Sequence, residues 1–263
     1  MMPRVLNAYR IELIKALRSR ATFVGPALLL LLMAGALFVH PVVRDEKSDY
    51  DFIAYAVPSA INVLGILLIL SHSAASVSGE LSSGTIRLVL VRPLRRGEFI
   101  LAKSLAGFSY AALITALAAS SAWTAAWVLG DLTGVRFGGD VLYTDRDMRV
   151  AFLIATGLNL PPQFAAVAYA VFVSTCIRNP ASAVIVAIGT WILVDAVKYP
   201  LGIAPYVFSS YLDSSWQPFS ERCMGIESEF SRTALYGIGV SIVSMTLFLA
   251  GAVMVLSRKD LSA

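Results

Sequence analysis

The sequence predicts an all-α polytopic membrane protein with six transmembrane helices. Three observations carry that reading. Hydrophobic residues make up 57% of the 263 and charged residues only 14%, with a mean hydropathy of +0.74. A typical soluble domain carries about 25% charged residues. Second, the charges leave long gaps: Ala21–Val43, Phe52–Gly79, Ser104–Gly130, Val150–Ile177 and Thr233–Ser257 contain none, and Asn179–Val197 contains only Asp195. A helix needs about 20 residues to cross the hydrocarbon. Third, no gap alternates strictly as a barrel strand would, and each is far longer than a strand. Disorder, a secreted disulfide scaffold and a free nucleic-acid binder are excluded, despite a formal charge of +4 and a pI near 9.1.

The expected spans are residues 22–43, 52–76, 104–130, 150–177, 179–199 and 233–257, in one transmembrane domain covering 1–263. The first span is longer than a signal-peptide core and no A-x-A-like site closes it, so it reads as a retained anchor. Residues 4–20 read as an amphipathic interfacial helix. Val5, Tyr9, Leu13 and Leu17 form its apolar stripe, flanked by Leu6 and Ile14, opposite Arg4, Asn7, Lys15 and Arg18. Tyr199–Leu212 is uncharged but short, and it is broken by Pro200, Gly202 and Pro205. Together with the chain to residue 228 it reads as an outer re-entrant segment before the last span.

Six spans put both termini on one side. With the termini inside, the inner segments hold thirteen of the 21 basic residues but only Glu12, Glu80, Glu98 and Asp260 of the 17 acids. That bias predicts cytoplasmic termini in a plasma (inner) membrane. Cys176 and Cys223 then lie on opposite sides, which excludes an intramolecular disulfide. Cys223 remains available for pairing between copies.

Residues 78–97, in the second inner loop, carry the most information. Glu80 to Val91 is expected to form a short helix that Gly84 weakens from within, which suggests a bend there or a close approach by another backbone. Glu80 suits the positive end of that helix, and Pro93 ends it. Arg95 and Arg96 precede a new helix that runs into the third span.

The residues Glu80-Leu-Ser-Ser-Gly84-Thr85, then Arg92-Pro93, Arg96 and Lys103, resemble the loop of type-2 ABC-transporter permeases. The topology, the N-terminal helix and the basic tail Ser257-Arg258-Lys259 are similar to that family as well. The resemblance implies a permease subunit of an ATP-driven exporter. The loop would be a cytoplasmic coupling helix seated on a separate ATPase, with two permease copies and two ATPase copies as the working unit. It implies coupling roles for Glu80, Gly84, Thr85, Arg87, Arg92, Pro93, Arg96 and Lys103. Basic Arg87, Arg92, Arg95 and Arg96 suit acids on a partner or anionic lipid. ATP and Mg would bind the partner. This chain has no G-x-x-x-x-G-K-[ST] loop and is expected to hold no cofactor, to bind no nucleic acid and not to be an enzyme.

Polar residues within the spans are the other candidates. His72, among Ser71, Ser73 and Ser76, reads either as a path residue or as a neutral histidine hydrogen-bonded near the inner interface. Asn159 and Gln163 flank Pro161-Pro162. They would either satisfy the carbonyls that the prolines free or line a conduit. Asp195 and Lys198 are spaced for an ion pair, at the headgroup level or as an outer gate. Ala112, Ala116 and Ser120 form a small-residue packing stripe, and Trp123 and Trp127 read as interface anchors. No metal signature or nucleophile–base–orienter set is present. The other functional readings are a non-transporting anchor or regulatory subunit of the same fold, and a secondary transporter. No internal repeat or midplane acid supports the last. An apolar path suits lipophilic or amphipathic cargo.

Overall fold

The computed structural model describes residues 2–42, 49–84, 94–137 and 140–259. An interfacial-type helix, α1 (Met2–Arg18), is followed by α2 (Arg20–Val39), and the extended backbone of Ser19 makes the elbow between them. The second span is α3 (Tyr50–Ala60) and α4 (Ile66–Ser82), joined by a π turn at Ile61–Gly65. Pro58 lies three residues before that turn and contributes no N–H to the helical ladder, which is a recognised setting for such a turn. Then come α5 (Arg96–Leu129), α6 (Asp145–Cys176) and α7 (Pro180–Val197). The short helices α8 (Ser210–Ser214) and α9 (Gln217–Cys223) lead into α10 (Ser231–Arg258). Among the described residues six helices are long and apolar enough to cross a membrane. One small addition to the all-α expectation is a two-stranded antiparallel hairpin, β1 (Val135–Phe137) and β2 (Asp140–Tyr143).

Local signals set the ends. Thr144 and Asp147 form a capping box that starts α6, with Thr144 Oγ1 accepting from the Asp147 N–H. Asn179 caps α7 ahead of Pro180 at its first position. Glu98 accepts from the Arg95 N–H at 2.9 Å at the start of α5. With 34 and 32 residues, α5 and α6 rise roughly 50 Å each, well beyond ~30 Å of hydrocarbon. Their ends therefore carry charged residues clear of the apolar band.

Helix α6 is central, packing on α4, α5, α7 and α10 as well as α9. Lipid tails are as apolar as leucine, so helices associate through close packing and hydrogen bonds. Small residues do this work in α6, where Ala155, Ala165, Ala166 and Ala170 are fully buried. Ser174 Oγ accepts from the Val77 and Ser78 N–H groups and donates to Ala74 O, tying α6 to α4. At the opposite end Tyr50, Phe152, Trp216 and Phe219 meet edge-on or tilted. Trp123 joins them by packing on Tyr50 and Phe152, whereas Trp127 stays exposed.

Several local expectations are corrected. The loop helix expected over Glu80 to Val91 does not have Gly84 inside it. The span helix continues to Ser82, and Gly84 follows it at φ +69°. That is the left-handed position at which glycine ends a helix, because it has no Cβ to clash. Thr85, Arg87, Arg92 and Pro93 lie outside the described residues. The buried stripe of α5 is also not Ala112, Ala116 and Ser120, since Ala116 and Ser120 are exposed. Ala111, Thr115, Ala118, Ala122 and Ala126 are buried instead. Small residues occur all around α5, so size alone did not select a face.

Gly107 marks a close meeting of α5 and α6. A Cβ there would sit 2.5 Å from Val167 Cγ1 and 3.1 Å from Ser73 Oγ. Gly107→Leu should destabilise the protein by roughly 2 kcal/mol through overpacking. Gly157→Ala, where a Cβ meets nothing within 4 Å, should not. Thermal-shift melting in detergent checks the contrast; equal melting temperatures would refute the close approach.

Candidate functional site

The loop end of the bundle holds a four-charge cluster. Glu12 and Lys15 come from α1, Glu80 from the last turn of α4 and Lys103 from the second turn of α5. Lys103 Nζ donates to Glu12 Oε2 and to Glu80 Oε1, each at 2.6 Å. Lys15 Nζ reaches Glu12 Oε1 at 2.7 Å and Glu80 Oε1 at 2.9 Å. The Lys103 side chain is 4% exposed and that of Lys15 is 51%. Burial works against the Lys15 ammonium, but its hydrogen bonds to both carboxylates outweigh that and raise its pKa above the ordinary lysine value. Its stabilising contribution is therefore full through neutral pH and is lost only as the pH rises through that raised value. Glu80 Oε2 is buried without a partner among the described residues.

The sequence pointed to Glu80 and Lys103 but not to Glu12. The signal was present, since Val5, Ala8, Tyr9, Glu12, Leu13 and Ala16 share helical spacing and all are half-buried. Glu12 thus lies on the face of α1 that packs on α5, where Tyr9 Oη also meets Ser109 Oγ at 2.6 Å. Leu6, Ile14 and Leu17, from the expected apolar stripe and its flanks, are exposed.

Arg96 is engaged within the chain. Its Nη1 donates to Leu256 O at 2.8 Å and to Ser257 O at 2.5 Å, which caps the carbonyl end of α10. Lys259 Nζ likewise donates to Thr175 O at 2.5 Å, next to the end of α6. Arg96 and Lys259 thus each clasp a helix end.

His72 stacks on Tyr110, with ring centroids 4.3 Å apart. It lines a cavity of about 580 Å³ bounded by α1, α2, α4 and α5. Asn159 and Gln163 are fully buried away from that cavity. Thr115 donates to Gln163 Oε1 at 2.8 Å, Gln163 donates to Asn159 Oδ1, and Asn159 donates to Leu212 O at 2.9 Å and Ser215 Oγ at 2.8 Å. Their amides therefore join α5, α6 and α8 and do not answer carbonyls freed by Pro161-Pro162. At the other end of the bundle Lys198 Nζ pairs with Asp195 Oδ1 at 2.5 Å, and Ser209 Oγ donates to the same oxygen. Lys198 is 1% exposed and Asp195 48%, so the buried lysine anchors the segment before α8 while the carboxylate stands at the surface. Asn62, in the π turn, donates to Asp213 Oδ1 at 2.5 Å and holds the same segment from the other side. Cys176 is exposed, while burial pushes the half-buried Cys223 thiol upward and makes it unreactive.

None of these sites contains a nucleophile–base pair. Among the described residues no three His, Cys, Asp or Glu side chains group to hold a metal. The cluster around Lys103 is mechanical in kind, because it ties three helices to the root of one loop. Lys103→Met should cost about 3 kcal/mol, leaving Glu12 and Glu80 short of a buried counter-charge. Lys15→Met should cost under about 1 kcal/mol, because its half-exposed ammonium is screened. Melting temperatures of the two variants check this ranking, and adding Glu12→Gln to Lys103→Met should recover part of the loss.

Comparison with known proteins agrees with the architecture. The chain is 27% identical over 222 residues to the uncharacterized membrane protein YdbK of Bacillus subtilis, spanning 81% of this chain and 85% of that one. The pattern of the ABC-2 family transporter proteins matches residues 6–261. Members of that family are the membrane components of transporters. They are not themselves catalytic and normally work with an ATPase partner. With nearly its whole length matched, this six-helix chain belongs to the ABC-2 transporter family.

Proposed function

We propose that the chain is the permease subunit of an ATP-driven exporter. Two copies form the path across the plasma membrane, and two copies of a cytoplasmic ATPase hold the ATP and Mg. Both termini and residues 78–97 face the cytoplasm. The observation that carries this reading is the ion cluster at the root of that loop, where Lys103 links Glu80 to Glu12. A push on the loop reaches α4, α5 and α1 together, because the three are bonded at one ammonium.

The coupling residues divide into two groups. Thr85, Arg87, Arg92 and Pro93 supply the surface that meets the ATPase. Glu80, Gly84, Arg96 and Lys103 supply the rigid footing. Gly84 lets the chain leave α4 sharply, and Arg96 fixes the return helix against the end of α10. The Asn159–Gln163 network and the Asp195–Lys198 pair hold the α8–α9 segment on the far side, so motion is confined to a stiff frame.

Co-expression with a cytoplasmic ABC ATPase from the same organism should give a complex that survives purification. Gly84→Ala strains the φ +69° position by ~1–2 kcal/mol. It should keep the complex but lower cargo-stimulated ATP hydrolysis several-fold. If no ATPase co-purifies and Gly84→Ala leaves transport intact, the reading is wrong; an ATPase bound without any transport would favour the anchoring role.

The orientation has its own check. A membrane-impermeant maleimide should label exposed Cys176 in inverted vesicles and not in intact cells, with Cys223 slow in both. Labelling of Cys176 from outside would reverse the topology.

A further inference from the structure

The cavity between α1, α2, α4 and α5 changes character along its length. Glu12, Lys15 and Lys103 line its loop end, Ser73 and His72 its middle, and Val24, Leu28 and Leu68 its deep end. From Ser76 to Leu68, both lining residues of the second span, the rise is ~12 Å. About 580 Å³ is enough for a small ligand or part of a lipid.

The lining at the polar end has N–H donors to spare. An ammonium has three N–H donors. Lys15 and Lys103 each give two to carboxylates, which leaves one apiece without a hydrogen-bond acceptor among the described residues, Lys103 Nζ also lying 5.5 Å from the centroid of the Phe99 ring. Ser73 is 1% exposed, lines the cavity, and its Oγ has no partner among the described residues. With Glu80, whose Oε1 bonds both lysines, the four-charge cluster is neutral, and the positive excess at this end comes from Arg18 and Arg20 at the adjoining elbow. An anion with several acceptor oxygens answers this arrangement, whereas a cation would meet excess positive charge. The apolar end asks for hydrocarbon. Helix α2, with only 17% of its apolar window buried, leaves that end open to the bilayer.

We propose that this cavity binds a phosphate-headed amphiphile. The phosphate accepts hydrogen bonds from Lys15, Lys103 and Ser73, and the acyl chain lies between α2 and α4 along Val24, Leu28 and Leu68. No transport step enters the proposal, so it can fail or stand independently of the exporter reading.

The test uses the full-length protein in phosphatidylcholine nanodiscs with phosphatidic acid carrying a diazirine on its acyl chain. Photolabel located by mass spectrometry should concentrate around Leu28 and Leu68. Leu68→Trp, which fills the deep end, should reduce it at least ten-fold. Leu28→Trp, on a half-exposed face of α2, serves as a second plug if Leu68→Trp folds poorly. Lys15→Gln should reduce labelling several-fold. Unlabelled phosphatidic acid should compete, and diacylglycerol and an alkyltrimethylammonium should not.

Label spread evenly over α7 and α10 and insensitive to either plug overturns the proposal, as does equal competition by diacylglycerol. Stronger competition by the alkyltrimethylammonium overturns it in favour of a cationic ligand held by the His72–Tyr110 faces. Repeating the labelling with the co-expressed ATPase and ATP separates the two sources. Label that persists identifies a resident bilayer lipid, and label that falls identifies cargo, both at the proposed site.

Discussion

The buried ammonium of Lys103 is the constraint on which the loop end of the bundle depends. A charge removed from water is costly unless it is paired and hydrogen-bonded. Here two carboxylates from two other helices meet that need at 2.6 Å each. The consequence is geometric more than energetic, because a neutral arrangement exists only when α1, α4 and α5 are all in place. An apolar core would tolerate sliding, and this arrangement does not.

The same logic recurs wherever the bundle must be specific. Hydrocarbon on both sides of a helix supplies little preference for one partner over another. Discrimination falls to sparse polar links: Ser174 on the backbone of α4, Thr115 with Gln163 and Asn159, and Arg96 on the end of α10. Each joins helices that are distant in sequence, and buried alanines and glycines let the backbones come close enough to make them. α7 and α10 carry fewer such links and expose broad apolar faces, which lipid or a second copy can cover.

How much of this was legible depended on whether the signal was local. The six helices followed from gaps between charges, whereas the cap at Thr144, which starts α6 five residues before the expected 150, was not read. The π turn and the small hairpin were not foreseen, since neither leaves a pattern distinct from helix or loop. Gly84 was read as a weak point inside a helix because glycine spacing alone does not reveal φ; the left-handed value emerged only from the backbone. At the candidate site, Glu80 and Lys103 were visible through a motif, whereas Glu12 was hidden by its own helix. An acid on a basic, amphipathic segment reads as solvated until the neighbouring helix supplies a counter-charge. Asn159 and Gln163 were visible as polar residues in a span, but their partners lie 53 and 48 residues away, on other elements.

That separation gives the cluster a history during synthesis. Glu12 leaves the ribosome 91 residues ahead of Lys103, an interval of roughly ten seconds at common elongation rates. Over that time its carboxylate is close to lipid without its final counter-ion. Lys15, one helical turn away and 2.7 Å from Glu12 in the finished protein, is placed to stand in. The half-exposed lysine that adds little to the completed structure is thus the counter-charge that Glu12 carries within its own helix, made ahead of the one that arrives with the third span.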